Sequence, residues 1–162
     1  MVRRRQVADR LLRSNIPPRI HIVDDDPSVV RALRRLLHSW GMQVKTFTSG
    51  EEFLSALERS HDADCSVIDV QMPGMTGLEV QERMNRAGWD VPVIFITAHE
   101  EEGVEEHALR AGAVGFLRKP FMDEALVGLI RNALHHHRRP VGGEARPGQQ
   151  LENREEPSSE GE

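Results

Sequence analysis

A chain of 162 residues with a net charge of -5 has room for one domain of about 100–150 residues with tails. Its acidic balance, with a pI near 5.9, argues against general nucleic-acid binding, which needs clustered Lys and Arg. No apolar run approaches the roughly 18 residues of a membrane span, and the Arg-rich start lacks the apolar segment of a secretory signal, so the expected compartment is the cytoplasm. A hydrophobic share of 38% leaves part of the chain outside any core, and with no Tyr, two Trp and five Phe that core must be aliphatic.

Residues 1–18 carry Arg3, Arg4, Arg5, Arg10 and Arg13 against Asp9 and end at Pro17 and Pro18, the pattern of a flexible basic arm. Ile20, Ile22 and Val23 then predict a first strand that stops at Asp24, Asp25 and Asp26. Asp26 is placed as an N-cap with Pro27 at the first helical position, and Val30, Leu33, Leu36, Leu37 and Trp40 recur at helical spacing up to Gly41. Residues 42–47 read as a second strand, and Ser49 and Glu52 as a capping box ahead of Phe53, Leu54 and Leu57. In the third strand the β-branched Val67, Ile68 and Val70 surround Asp69 ahead of a turn at Pro73 and Gly74. Cys65, the single cysteine, lies in that strand; it can form no internal disulfide and reads as a small core residue.

Thr76 and Glu79 repeat the capping-box spacing and open a helix through Leu78, Val80 and Met84 to about Gly88. Residues 91–96 predict a fourth strand that stops at Thr97. Residues 100–111 read as a helix weakened by Gly103, with Glu100, Glu101 and Glu102 at the positive end of its dipole. Residues 113–117 predict a fifth strand ending at Lys119 and Pro120, and a last helix runs from about Asp123 to His137 with Leu126, Leu129, Ile130, Ala133 and Leu134 on one face. His135, His136 and His137 are consecutive and point in different directions, which fits solvated residues at the negative dipole end rather than a metal cluster. Residues 139–162 turn to Pro, Gly, Glu, Gln and Ser without apolar periodicity, as expected of a disordered polar tail.

Five strands alternating with five helices over residues 19–138 predict a flavodoxin-like, doubly wound (βα)5 α/β domain with a parallel sheet in the order 2-1-3-4-5. In that order the residues that stop the strands, Asp24, Asp25, Asp69, Thr97 and Lys119, share one sheet edge beside the topological switch point where such sheets bind ligands. A carboxylate in a part-buried crevice must be paired, metal-bound or neutralised. Lys119 offsets one of the three, which leaves room for a divalent ion. An all-oxygen acidic pocket suits Mg²⁺ or Mn²⁺, and no Cys and His spacing suits zinc. A hard metal, a lysine, a hydroxyl and one central carboxylate suit phosphoryl transfer onto Asp69 to give an acyl phosphate.

The segments Ile22-Val-Asp-Asp-Asp-Pro27, Val67-Ile-Asp-Val-Gln-Met-Pro-Gly-Met-Thr-Gly-Leu-Glu79, Ile96-Thr-Ala-His99 and Gly115-Phe-Leu-Arg-Lys-Pro-Phe121 form a specific set. Through them residues 19 to about 138 resemble the receiver domain of two-component response regulators, most nearly those of the nitrogen-fixation-regulator type. The resemblance implies that Asp69 takes a phosphoryl group from a sensor histidine kinase or a histidine phosphotransfer protein. It implies Asp25 as a direct Mg²⁺ ligand, Asp24 acting largely through water, and the Gln71 backbone carbonyl completing the protein ligands with Asp69. Lys119 would pair with the phosphoryl oxygens, its bond to Pro120 cis, while Thr97 reorients to the phosphoryl group and Phe116 follows it inward. Gln71 and His99 would tune the phosphoryl lifetime. The output face would be the fourth helix, fifth strand and fifth helix.

The expected function is therefore a stand-alone receiver that signals to a downstream protein and catalyses only its own phosphorylation and dephosphorylation. One alternative is the truncated receiver half of a DNA-binding transcriptional regulator. Another is an aspartate-nucleophile, metal-dependent phosphatase, against which stand Gln71 in place of a second acid and the lack of a cap segment. A phosphorylation-dependent dimer is a further expectation, with Glu101, Glu102, Glu105 and Glu106 facing Arg110, Arg118 and Arg131.

Overall fold

The computed structural model describes residues 16–136. The basic arm and the polar tail expected at the two ends, and His137, lie outside the described residues but for Ile16, Pro17 and Pro18. In chain order the elements are β1 Arg19–Val23, α1 Pro27–Ser39, β2 Gln43–Phe47, α2 Gly50–Arg59, β3 Cys65–Asp69, α3 Gly77–Ala87, β4 Val93–Thr97, α4 Val104–Arg110, β5 Gly115–Arg118 and α5 Asp123–His136. All strand pairings are parallel, in the order β2-β1-β3-β4-β5. This is the predicted doubly wound class.

Strands buried on both faces need apolar residues at every position, and period-2 alternation then divides them between two cores. Ile20, Ile22, Cys65, Val67, Ile94 and Ile96 point to one face, where they meet Leu33 and Leu37 of α1 and Leu126, Val127, Ile130 and Ala133 of α5. Val23, Ile68, Val93 and Phe95 point to the other, against Phe53 and Leu57 of α2, Val80 and Met84 of α3 and Ala108 of α4. At about 25 cal/mol per Å² of buried apolar surface, these two layers supply the main force that holds the sheet. Cys65 is fully buried and burial pushes its thiol up to about 12, so it remains a protonated core residue.

Local chemistry sets most helix starts. Asp26 accepts the Ser28 N–H at 2.8 Å ahead of Pro27. Thr76 and Glu79 close a complete capping box on α3. At α2 the box is altered: Ser49 Oγ accepts the Glu52 N–H, but the Glu52 carboxylate accepts the N–H of Thr48 instead of Ser49. Other boundaries move from their expected places for identifiable reasons. Met42 leaves β2 because its N–H donates to Leu37 O and closes α1 rather than joining the ladder. Trp40 sits past the end of α1 as its C-cap, 41% exposed, with the Arg131 guanidinium 4.7 Å above its ring, not on the buried face.

The largest shift is in α4, which begins at Val104 instead of Glu100. Gly103, expected to sit inside the helix, is its N-cap at φ 82°, and a helix cannot be continued through that left-handed conformation. Glu100, Glu101 and Glu102 therefore precede the helix, and Glu105 and Glu106 occupy its first turn.

His21 is a titratable side chain placed deep in the core away from the crevice. It is 1% exposed, packed beside Phe47 and Phe53, with Nε2 3.4 Å from Asp62 Oδ1 and no hydrogen-bond partner for Nδ1 among the described residues. Burial lowers its pKa below 6.5, opposed by Asp62 and Asp64 and assisted by Lys45 and Arg19. A folded pKa below the unfolded value means that the unfolded chain takes up the proton first, so stability is lost as pH falls below about 6.5. Urea midpoints measured from pH 7 to pH 5 are expected to shift in favour of His21→Phe over the parent as the pH falls; a constant gap would show that His21 titrates alike in both states.

Candidate functional site

The C-terminal ends of β1, β3, β4 and β5 converge because the strands are parallel and in register, with Val23 beside Ile68 and Asp69 beside Ile96. At or directly beyond these ends stand Asp24 and Asp25, Asp69, Thr97 and Lys119. Asp24 is fully buried; one carboxylate oxygen accepts the Asp26 N–H at 2.9 Å and the other meets Lys119 Nζ at 3.2 Å. Carboxylate oxygens of Asp24, Asp25 and Asp69 all lie within 4.8 Å of one another.

Asp69 is 7% exposed, and its pKa is pushed up to about 6. Burial is the largest cause and the Asp24 charge the next; Lys119 and the Gln71 backbone N–H work in the opposite sense. One lysine shared among three carboxylates leaves the pocket short of positive charge. An all-oxygen donor set of this kind fits a hard divalent ion such as Mg²⁺ or Mn²⁺, which would restore Asp69 to its ionised, nucleophilic form.

The other expected residues are placed as follows. Thr97 is 2% exposed, its hydroxyl turned along its own loop, donating to the His99 carbonyl and accepting the His99 N–H at 3.2 Å each. Lys119 is linked to Thr97 through the backbone, its N–H donating to Thr97 O at 2.8 Å, and the Lys119–Pro120 bond is cis. Phe116 is half-buried, its ring centroid 6.4 Å from that of Phe95. Gln71 is half-buried and donates its carboxamide N–H to Glu101 across the crevice mouth, while His99 is exposed. Of the charges expected to join two copies, Arg118 pairs with Glu100 and Glu105 and Arg110 with Glu106 within the chain, while Arg131 lies over Trp40.

Gly77 has a structural role that sequence spacing does not disclose. Its N–H donates to Val70 O at 2.8 Å, and a Cβ on it would lie 2.3 Å from the Asp69 carbonyl oxygen. The first turn of α3 is thereby pressed against the backbone that carries Asp69. Only the folded arrangement of β3 and α3 reveals the contact, although a glycine at the first helical position, where no turn needs one, was the available signal.

A five-stranded parallel sheet with an acidic trio, a lysine and a hydroxyl at its C-terminal edge defines a receiver-type phosphoryl-transfer module. Comparison with known proteins agrees: residues 20–131 match the response regulator receiver domain. The chain is 44% identical over 115 residues to the response regulator protein TodT of Pseudomonas putida, covering 71% of this chain and 50% of the relative. It is 39% identical over 115 residues to the transcriptional regulatory protein FixJ of Azorhizobium caulinodans, covering 71% and 54%. A crystal structure of FixJ-N superposes with a TM-score of 0.69 at 33% identity, covering 75% of this chain and 96% of that one. The chain belongs to the response regulator receiver family of two-component systems. It spans about half the length of the curated relatives it matches.

Two outcomes follow from this geometry. An acid whose folded pKa is raised destabilises the fold once it is ionised, and that loss disappears as pH falls from about 6 toward 4. In metal-free protein at pH 7, Asp69→Asn should therefore raise stability by about 2 kcal/mol, with the advantage over the parent shrinking at pH 4; chemical denaturation with a chelator present checks it. Gly77→Ala should cost about 1–3 kcal/mol through overpacking against the Asp69 backbone, read by the same denaturation.

Proposed function

We propose that this protein is a phosphorylatable switch in which Asp69 accepts a phosphoryl group from a phosphohistidine on a sensor histidine kinase or a histidine phosphotransfer protein. The observation that carries this reading is the buried Asp69 carboxylate, flanked by Asp24 and Asp25 and within the field of Lys119. An Asp69 oxygen attacks phosphorus as the P–N bond to the donor imidazole breaks, giving an acyl phosphate. Lys119, which meets Asp24 at 3.2 Å and whose charge acts on Asp69, would leave Asp24 and pair with the phosphoryl oxygens. Mg²⁺, held by Asp25, Asp69 and the Gln71 carbonyl with Asp24 behind them, would neutralise charge on the equatorial oxygens.

The acyl phosphate adds about -1.5 to -2 charges to the pocket. Thr97 then has reason to give up its contact with His99 and turn its hydroxyl toward the phosphoryl group, and Phe116, half-buried in the unphosphorylated protein, would follow it inward. That repacking changes the surface made by α4, β5 and α5, where a downstream protein would read the state. Having Phe rather than Tyr at this position, the switch would work by packing alone. The protein would catalyse only its own phosphorylation and dephosphorylation.

A second reading is favoured by one observation, that matched relatives such as FixJ, a transcriptional regulatory protein by name, are about twice the matched length. In that reading the receiver governs a DNA-binding segment, which a coding sequence continuing past Glu162 would reveal. The switch itself is tested by intact mass after incubation with acetyl phosphate and Mg²⁺. A gain of about 80 Da in the parent, absent in Asp69→Asn and absent with a chelator, is the expected result; an equal gain in Asp69→Asn would place the acceptor elsewhere.

A further inference from the structure

The mouth of the crevice is closed by two loops that are 30 positions apart in sequence at the point where they touch. On the β3 side is Gln71, two residues beyond Asp69. On the β4 side is the segment 98–103, every residue of which is exposed. That segment leads into a helix of seven residues whose N-cap, Gly103, offers no side-chain hydrogen bond and whose one buried residue is Ala108. Apolar burial therefore does little to fix the segment, and side-chain ties take its place. Arg118 holds it from the outer side through Glu100 at 2.6 Å and Glu105 at 3.5 Å. Glu101 holds it from the crevice side by accepting the Gln71 carboxamide N–H.

The two ties leave the Gln71 side chain a defined position. Drawn toward Glu101, it reaches from the β3 loop to the exposed segment that follows Thr97. We propose that Glu101 is a positioning residue for hydrolysis of the Asp69 acyl phosphate: by fixing the Gln71 carboxamide across the mouth, it restricts the approach of water and prolongs the phosphorylated state. The proposal rests on the reading of Asp69 as phosphoacceptor. In the step it slows, a water oxygen bonds to phosphorus as the P–O bond to Asp69 breaks. The Asp69 carboxylate keeps the electron pair, the water proton passes to solvent and inorganic phosphate leaves. Glu101 takes no part in that proton transfer; its carboxylate serves as the acceptor that orients Gln71.

The test is the decay of the 80 Da adduct, about the mass of one phosphoryl group, followed by intact mass after acetyl phosphate is removed with Mg²⁺ retained. Glu101→Ala and Gln71→Ala should each shorten the half-life about fivefold, the order of one lost oriented hydrogen bond, and the double variant should decay no faster than either. Glu101→Gln, whose amide oxygen can still accept from Gln71, should stay within about twofold of the parent. In metal-free, unphosphorylated protein, amide hydrogen exchange over residues 98–103 should quicken in Glu101→Ala and not in Glu101→Gln. A parent-like half-life in Glu101→Ala, additive effects in the double variant, or longer half-lives in both Glu101 variants, as a general base would give, would overturn the proposal. If the parent takes up no phosphoryl group, the Asp69 reading falls and the lifetime claim with it. That is distinguishable from failure of the bridge alone, in which the parent is phosphorylated and the variants decay at its rate.

Discussion

Three carboxylates sharing one lysine in a half-dry crevice is the constraint on which the rest of this structure depends. Asp24 is fully buried and its charge is tolerated because Lys119 and the Asp26 N–H both bind it. Asp69 receives less, and its raised pKa measures the shortfall. Like charges this close are tolerated in a folded protein when the apolar frame beneath them is strong enough to impose the arrangement, and where a further cation restores the balance. The pocket is thus held in a state that favours addition of positive charge and responds strongly to a new negative one.

The frame is the doubly covered sheet. Alternate residues of β1, β3 and β4 feed two separate cores, one under α1 and α5 and the other under α2, α3 and α4. A parallel sheet brings the carboxyl ends of its strands to one edge, so residues that stop four separate apolar runs become neighbours. Gly77 adds a second restraint, because its lack of a side chain lets α3 rest on the Asp69 backbone. Asp69 is accordingly closely packed on the β3 side, while the β4 side leads into an exposed segment.

That asymmetry suits a switch. α1, α2, α3 and α5 each bury several side chains, whereas α4 buries Ala108 alone and is approached by an exposed segment held through Glu100, Glu101 and Glu105. Polar ties at a surface are individually weak and are exchanged at small cost. Among the described residues the Thr97 hydroxyl bonds to the His99 backbone of its own loop, and in the proposed switch it is the group that would carry a charge change at Asp69 toward α4.

The sequence by itself determined the class of fold, the strand order and the identity of the residues at the strand ends. The first and last follow from local rules, namely apolar runs of strand length, helical periodicity between them, and Asp26 and Thr76 as caps, while the order 2-1-3-4-5 is the one common to that class. It also showed Cys65 as core, since a lone cysteine among β-branched residues has no other use. It misplaced the start of α4, because three consecutive glutamates are good helix formers and only the left-handed backbone of Gly103 excludes them. Tertiary structure alone decided what these residues do to one another. The shift of Asp69, the Lys119 bridge to Asp24, the burial of His21 beside Asp62, the pressure of Gly77 on Asp69 and the bond from Gln71 to Glu101 all join residues distant in sequence. They depend on distance and on exclusion of water, and neither quantity exists until the two cores have closed around the sheet.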